Sequence, residues 1–168
     1  KRFHIEGQDG GYEHSTAQRG AFYAVGVGGP LTGRGAHLLL IDDPVKNRED
    51  AESEVIRKKT KDWYTSTAYT RLMPGGRIVV IQTRWHEDDL SGWLQADHQH
   101  EGWVVLDLPA IDDEGNALWP EQYDIPVLEK IRQAIGPRDW SALYQQRPSP
   151  ESGDYFKREW IYPVDHMP

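Results

Sequence analysis

The 168-residue sequence contains no cysteine, which excludes a disulfide framework and a thiolate zinc site. It also lacks an apolar run near the ~20 residues that a membrane-spanning helix needs, and its charged start, Lys1 to Glu6, is unlike a signal peptide. Basic residues are few: 19 Lys and Arg against 27 Asp and Glu give a net charge of −8. This balance argues against a free-standing nucleic-acid-binding domain, although a local basic groove stays compatible with it.

The middle of the chain alternates between short apolar runs and stretches with helical periodicity. The runs predict strands at 21–25, 37–44, 77–83 and 103–108, and the periodic stretches predict helices at 49–72 and 87–99. From residue 37 onward this order is strand, helix, strand, helix, strand. Such alternation is typical of an α/β fold with a parallel sheet.

Two predicted strands end in polar residues, and parallel sheets bind ligands outside the carboxyl ends of their strands. One strand ends in Asp42 and Asp43, which matches the Walker B pattern of ATPases, where a carboxylate holds Mg²⁺. The alternative is a strand that ends in an acidic turn before Pro44. The other strand ends in Gln82 and Thr83, either as sensors of a γ-phosphate or as an ordinary strand end.

A glycine-rich loop at 26–35 approaches the spacing of a phosphate-binding P-loop. It is not one, because Arg34 replaces the lysine, Gly35 replaces the serine or threonine, and a strand follows where a helix is required. The interpretation that this loop lies near phosphates or DNA stays open.

Two further charged segments each allow two interpretations. His86, Glu87 and Asp89 offer metal-ligand atoms, but acids at the start of a helix are usually caps. A basic run lies beside the Asp42 strand and is either a solvated helix face or a surface for DNA phosphates. Its candidate DNA contacts are Lys46, Arg48, Lys58 and Lys59.

Seven stretches in one order resemble the large terminase subunit of tailed bacteriophages, in its prophage-type form. They are GGPLTGRG at 28–35, LLIDDPVKN at 39–47, TRLMPGG at 70–76, QTRWHEDDLSG at 82–92, LPA at 108–110, ALWP at 117–120 and YQQRP at 144–148. The resemblance covers roughly residues 20–156. No single stretch carries it; the ordered set does.

The resemblance implies an additional-strand P-loop ATPase of a DNA-packaging motor, with ATP and Mg²⁺ as cofactors. It assigns the metal to Asp42 and the activation of water to Asp43, or to Glu49 if the shorter aspartate does not serve. It assigns the coupling of hydrolysis to DNA movement to Gln82, Thr83 and Arg84. It places Arg34 in a loop near the nucleotide.

The resemblance also implies partners and a location. The implied partners are double-stranded DNA, a terminase small subunit, a portal and procapsid, and other copies in a ring, with no membrane. The implied location is the cytoplasm of the bacterial host.

The sequence departs from the family by having no Walker A motif and no acidic nuclease site. We therefore expect a half domain: part of the ATPase core at 1–110, a small helical subdomain at 111–147 with helices at 126–136 and 138–146, and a linker at 148–168. Such a piece is expected to be inactive alone. Two alternatives stay open: a metal-dependent nuclease that uses Asp42, Asp43 and the acids of 86–89, and a non-catalytic prophage remnant that only binds partners.

Overall fold

The computed structural model describes residues 11–15, 21–29, 31 and 33–149. Two compact units divide the chain, Lys1–Gln82 and Thr83–Pro168, and each is described by itself. Among the described residues, no helix has both the length and the apolar character needed to cross a membrane. The predicted division into 1–110, 111–147 and 148–168 stays a prediction.

The first unit contains two pairs of strands. Strands β1 (Gly11–Ser15) and β2 (Ala21–Val25) pair antiparallel, whereas β3 (Ala36–Asp42) and β4 (Leu72–Ile81) pair parallel. The strands predicted at 21–25, 37–44 and 77–83 are thus present, although β4 begins earlier, at Leu72. The α/β class follows from the parallel pair and the helices that connect its strands.

The helical connection between β3 and β4 is broken into short pieces. It comprises α1 (Arg48–Glu52), α2 (Glu54–Trp63), a π-helical turn Tyr64–Ala68 and a 3-10 turn Tyr69–Arg71. The single helix predicted at 49–72 is interrupted at Ser53, whose hydroxyl accepts a hydrogen bond from the Ile56 N–H and begins a new helix. Arg57 bridges the break by donating to the carbonyls of Ala51 and Glu52.

Buried side chains of this connection supply most of the core of the first unit. Tyr64 and Ala68 are fully buried, and Ala51 is almost so. Ile41 of β3 and Val45, just beyond it, are buried as well. Burial of these apolar side chains fixes the chain on both sides of the point where β3 ends.

The strand predicted at 103–108 is wrong. Residues 102–109 form no strand, and Val104 and Leu106 are 93% and 79% exposed. An apolar run can enter a sheet only where a strand edge is in register with it, and that edge is a tertiary feature. The predicted sheet of three parallel strands is therefore reduced to the pair β3–β4 in the part of the chain that the structure describes.

The second unit is mainly helical. Helix α3 (Leu90–Asp97) lies within the predicted 87–99 and leads into a 3-10 turn, Gln99–Glu101. Helix α4 (Ile125–Asp139) is kinked at Gly136, where φ is 81°, and a π-helical turn, Trp140–Tyr144, follows it. The two helices predicted at 126–136 and 138–146 correspond to the parts before and after this kink. Of the predicted linker, residues 150–168 lie outside the described residues.

Candidate functional site

The carboxyl ends of β3 and β4 bring the two predicted polar clusters to one edge of the parallel pair. Asp42 is in register with Ile81, and the backbone N–H of Asp43 donates to the Ile81 carbonyl at 2.9 Å. Gln82 follows Ile81 directly. Asp42, Asp43 and Gln82 therefore lie together at the sheet edge where parallel sheets bind ligands.

Both carboxylates at this edge are exposed to solvent. Asp43 adopts a left-handed backbone conformation with φ of 39°, which aspartate tolerates better than most residues because its side chain is short and polar. This residue ends the strand and turns the chain toward Pro44 and the buried Val45. The turn leaves two adjacent acids at the tip of one strand.

Gln82 differs from the two acids because its side-chain oxygen is buried. Its Oε1 atom finds no hydrogen-bond partner among the described residues. Buried polar atoms are paired in the great majority of cases, so each exception requires an explanation such as a ligand, an ion or a function. Gln82 Oε1 is thus a buried acceptor at this edge that can accept a further hydrogen bond.

The chemistry of this edge suits a hard divalent cation. Mg²⁺ prefers oxygen ligands and keeps several of its waters, so one or two carboxylates are a sufficient protein contribution. Asp42 and Asp43 are the carboxylates at this edge, and the assignment of the metal to Asp42 stays a prediction. The sequence contains no G-x-x-x-x-G-K-[ST] motif, so it does not supply the loop that binds the phosphates of ATP in P-loop ATPases.

Glu49, the alternative to Asp43, lies in the first turn of α1 with its side chain exposed. That helix begins at Asn47, whose Oδ1 accepts a hydrogen bond from the Asp50 N–H at 2.8 Å. An acid in the first turn is favourable with respect to the helix dipole. This effect accounts for Glu49 without a catalytic role, and its assignment stays a prediction.

Arg84 is engaged in a local cluster at the start of α3. Its Nε lies 3.0 and 2.8 Å from the two carboxylate oxygens of Asp89, and its Nη2 donates to the Glu87 carbonyl at 3.3 Å. Asp89 is 4% exposed and also accepts from the Gly92 N–H at 2.9 Å, which caps the helix. Arg84 therefore has a clear structural role, whereas Thr83 beside it is exposed.

Close packing accompanies this cap. A Cβ atom added to Gly92 would collide with the Glu87 carbonyl oxygen and would lie 2.8 Å from Arg84 Nη2. Only glycine fits there, so the helix start, the Arg84 side chain and the preceding turn form one tightly packed arrangement.

The second interpretation of residues 86–89, that of a helix cap, is the one that the contacts favour. His86 Nδ1 accepts from the Asp88 N–H at 2.9 Å, and both oxygens of Asp89 bind Arg84. Within the described part of the chain, His86, Glu87 and Asp89 do not form a group whose ligand atoms lie close enough to share a metal.

Arg34 and three of the four predicted DNA contacts have partners within the first unit. The Arg34 guanidinium lies 3.6 Å from the centroid of the Tyr23 ring, a cation–π contact. Three of the basic residues have an acid one helical turn further on; the pairs are Lys46–Asp50, Arg48–Glu52 and Lys58–Asp62. Lys59 is exposed. The alternating charges are typical of a solvated helix face, and a role in DNA contact stays a prediction.

The structure also gives a role to residues of YQQRP to which the sequence pattern assigned none. Gln145 exchanges two hydrogen bonds with the backbone of Ile111, at 3.1 and 2.9 Å, and Gln146 Oε1 accepts from the Arg84 N–H at 3.3 Å. Arg147 pairs with Asp113 at 3.2 Å. The stretch YQQRP thus ties distant segments of the second unit together; it was part of the family resemblance, but its sequence did not indicate these contacts.

The chain is similar to a known protein family. Residues 14–162 match the model described as "Terminase large subunit, T4likevirus-type, N-terminal". No curated protein matches the chain.

Proposed function

The chain belongs to the family of terminase large subunits of the T4-like-virus type. From this premise we propose that it is part of a phage motor that couples ATP hydrolysis to the packaging of double-stranded DNA. The match over 14–162, together with the acids and the glutamine at one edge of a parallel strand pair, is the observation that supports the proposal. The fold proposed with it is that of an additional-strand P-loop ATPase.

In this proposal Asp42 would hold Mg²⁺, and Asp43 is the first candidate for orienting the attacking water. A bound Mg²⁺ would supply charge neutralisation on the phosphates of ATP. Gln82 would report on the occupant of the site, because its buried Oε1 has an unused acceptor capacity at the same edge. Thr83 would carry that signal into the segment that follows β4.

A phosphate cradle is absent from the sequence, so we expect the chain alone to hydrolyse ATP poorly. The proposed partners are double-stranded DNA, a terminase small subunit, a portal on the procapsid and further copies in a ring. Of the candidate DNA contacts, Lys59 is exposed and Lys58 is exposed but paired with Asp62. Substitutions of Asp42 and Asp43 test the proposal more directly, because the roles proposed for these residues do not require contact with DNA.

The test measures ATP hydrolysis by the terminase large subunit that carries this sequence. Asp42→Asn is expected to lower kcat by roughly 100-fold or more, since it removes a charge at the metal. Asp43→Asn and Glu49→Gln, measured side by side, assign the water-activating residue to whichever variant loses more activity. Asparagine tolerates the left-handed conformation of residue 43, so the first of these two variants is expected to fold.

Asp62→Asn is the matched control, because Asp62 is an exposed acid of the same unit whose carboxylate pairs with Lys58. It is expected to keep full activity. Hydrolysis that survives Asp42→Asn at the wild-type rate would contradict the assignment of the metal to this strand end.

A further inference from the structure

A second group of possible ligands lies in the other unit, at the end of α3. His98, His100 and Glu101 each offer one ligand atom, and these atoms all lie within 4.8 Å of one another. The three residues share one 3-10 turn, Gln99–Glu101, together with the residue before it. Within the described part of the chain, no other group of three such side chains is this compact.

Two of these side chains are held in place by their surroundings. The His98 side chain is 18% exposed and packs against the Trp93 ring at 4.2 Å between centroids. The Glu101 side chain is 12% exposed, and its Oε2 accepts from the Trp103 indole N–H at 3.0 Å. Hydrogen bonds to a ligating carboxylate orient it, as is usual around metal sites in proteins.

The backbone of the turn is fixed as well. The N–H of Glu101 donates to the His98 carbonyl at 3.0 Å, and the N–H of Gly102 donates to the Gln99 carbonyl at 3.1 Å. Gly102 then leaves the turn with φ of 71°. The ligands therefore stand on a hydrogen-bonded scaffold rather than on an open loop, which lowers the cost of organising them around an ion.

We propose that His98, His100 and Glu101 form a site for a divalent transition-metal ion of the zinc class. Two imidazoles and a carboxylate are a donor set that zinc binds, and three protein ligands leave a fourth position for water. Magnesium prefers oxygen ligands alone and is not expected to compete. The site is separate from the proposed ATPase chemistry, since none of its residues belongs to the β3–β4 edge.

Closing the site requires two small movements: His100 has to approach the other two ligands, and the His98–Glu101 pair has to open slightly. Ligands about 2.1 Å from a tetrahedral zinc lie roughly 3.4 Å apart, compared with the 4.8 Å limit of the present cluster. His100 is exposed and can rotate toward the other two. His98 Nδ1 and Glu101 Oε1 share a hydrogen bond at 2.6 Å. A metal bound at Nδ1 would replace this hydrogen bond, and the neutral His98 ring would then carry its hydrogen on Nε2.

The experiment titrates Zn²⁺ into the full, untagged 168-residue chain in competition with a chromophoric chelator. We expect one equivalent to bind, and His100→Ala to weaken that binding at least tenfold. His100 is exposed, so its replacement is not expected to disturb folding. His37→Ala, which removes an exposed histidine from β3, is the matched control and is expected to leave the affinity unchanged.

A second readout locates the ion. In long-range ¹H–¹⁵N spectra, the ring signals of His98 and His100 and the indole signal of Trp103 are expected to shift with Zn²⁺ and to return with EDTA, while those of His37 do not. Failure of the wild-type chain to bind a stoichiometric equivalent would overturn the proposal. Equal affinities of His100→Ala and His37→Ala would overturn it as well.

Discussion

The edge of β3–β4 and the start of α3 are both rich in polar residues, but they use them in opposite ways. At the strand edge, Asp42 and Asp43 are exposed and Gln82 has a buried oxygen without a partner in the described structure. At the helix start, Arg84 and Asp89 satisfy each other. The Gln82 oxygen is therefore available to a ligand, whereas the closed set of hydrogen bonds at the helix start stabilises the fold.

The boundary between these two regions falls within a predicted motif. Gln82, Thr83 and Arg84 are consecutive and were predicted to act together in coupling. Gln82 ends the first unit, and Arg84 belongs to the helix cap of the second. Substitutions at the helix start should therefore cost stability, and those at the strand edge should cost activity.

The largest effect is expected from Asp89→Ala. The change removes the helix cap and leaves the partly buried Arg84 guanidinium without its carboxylate, so the free energy of unfolding should fall by about 4 kcal/mol. Asp89→Asn keeps the cap and should cost about 1.5 kcal/mol. Urea denaturation measures both. The free energy of unfolding of Asp97→Ala, at the other end of α3, is expected to stay within about 0.5 kcal/mol of wild type. A loss equal to that of Asp89→Ala would contradict the importance of the cap.

Gly92→Ala is expected to be the next most damaging change. Helix propensity alone predicts a gain of about 1 kcal/mol, but the added methyl collides with the Glu87 carbonyl. The collision should dominate and lower the free energy of unfolding by about 3 kcal/mol. Thermal denaturation compares it with Ser91→Ala in the same helix. A more stable Gly92→Ala protein would mean that the start of α3 is not packed this tightly.

Gln82→Met is expected to raise the free energy of unfolding, in contrast to Asp89→Ala and Gly92→Ala. Replacing the side chain by an apolar one of similar shape removes a buried acceptor without a partner, so we expect a gain of about 1 kcal/mol. The same variant should slow ATP hydrolysis by the large subunit, if the oxygen serves the site. Gln95→Met, on an exposed part of α3, is the control for a generic effect of methionine. A loss of stability on Gln82→Met would show that the amide has a structural role.

The smallest effect concerns Asp112 in the turn before α4. Hydrogen bonds, first from the Asn116 N–H and then from its side chain, lower the pKa of Asp112 below its ordinary 3.8. The ionised form is the one bound in the folded state, so its stabilisation is present above that ordinary value and is lost as the pH falls through the lowered pKa. An NMR titration of the Asn116 amide measures it, and Asp112→Asn should abolish the transition. If the wild-type protein titrates with its midpoint at the ordinary pKa of 3.8, the result would contradict the hydrogen bonds from Asn116.

Much of the fold could be predicted from local patterns. The apolar runs at β2, β3 and β4, the cap at Asp89 and the break at Gly136–Pro137 are features of neighbouring residues, and the structure contains them. Residues 103–108 could not be assigned in this way, because an apolar run specifies that a segment can be buried but not that a strand edge is there to receive it.

The sequence by itself determined the family, the strand–helix–strand order from β3 to β4 and the placing of acids after β3, because these depend on residue order and spacing. Tertiary structure decided which polar residues are engaged. Only the register of β3 on β4 brings Gln82 beside Asp43, and only the packing of α3 commits Arg84 to Asp89. Asp43 and Gln82 come from strands that are far apart in the chain, and the Arg84–Asp89 pair depends on how the turn before α3 folds back, so residue order alone does not specify which polar groups are satisfied.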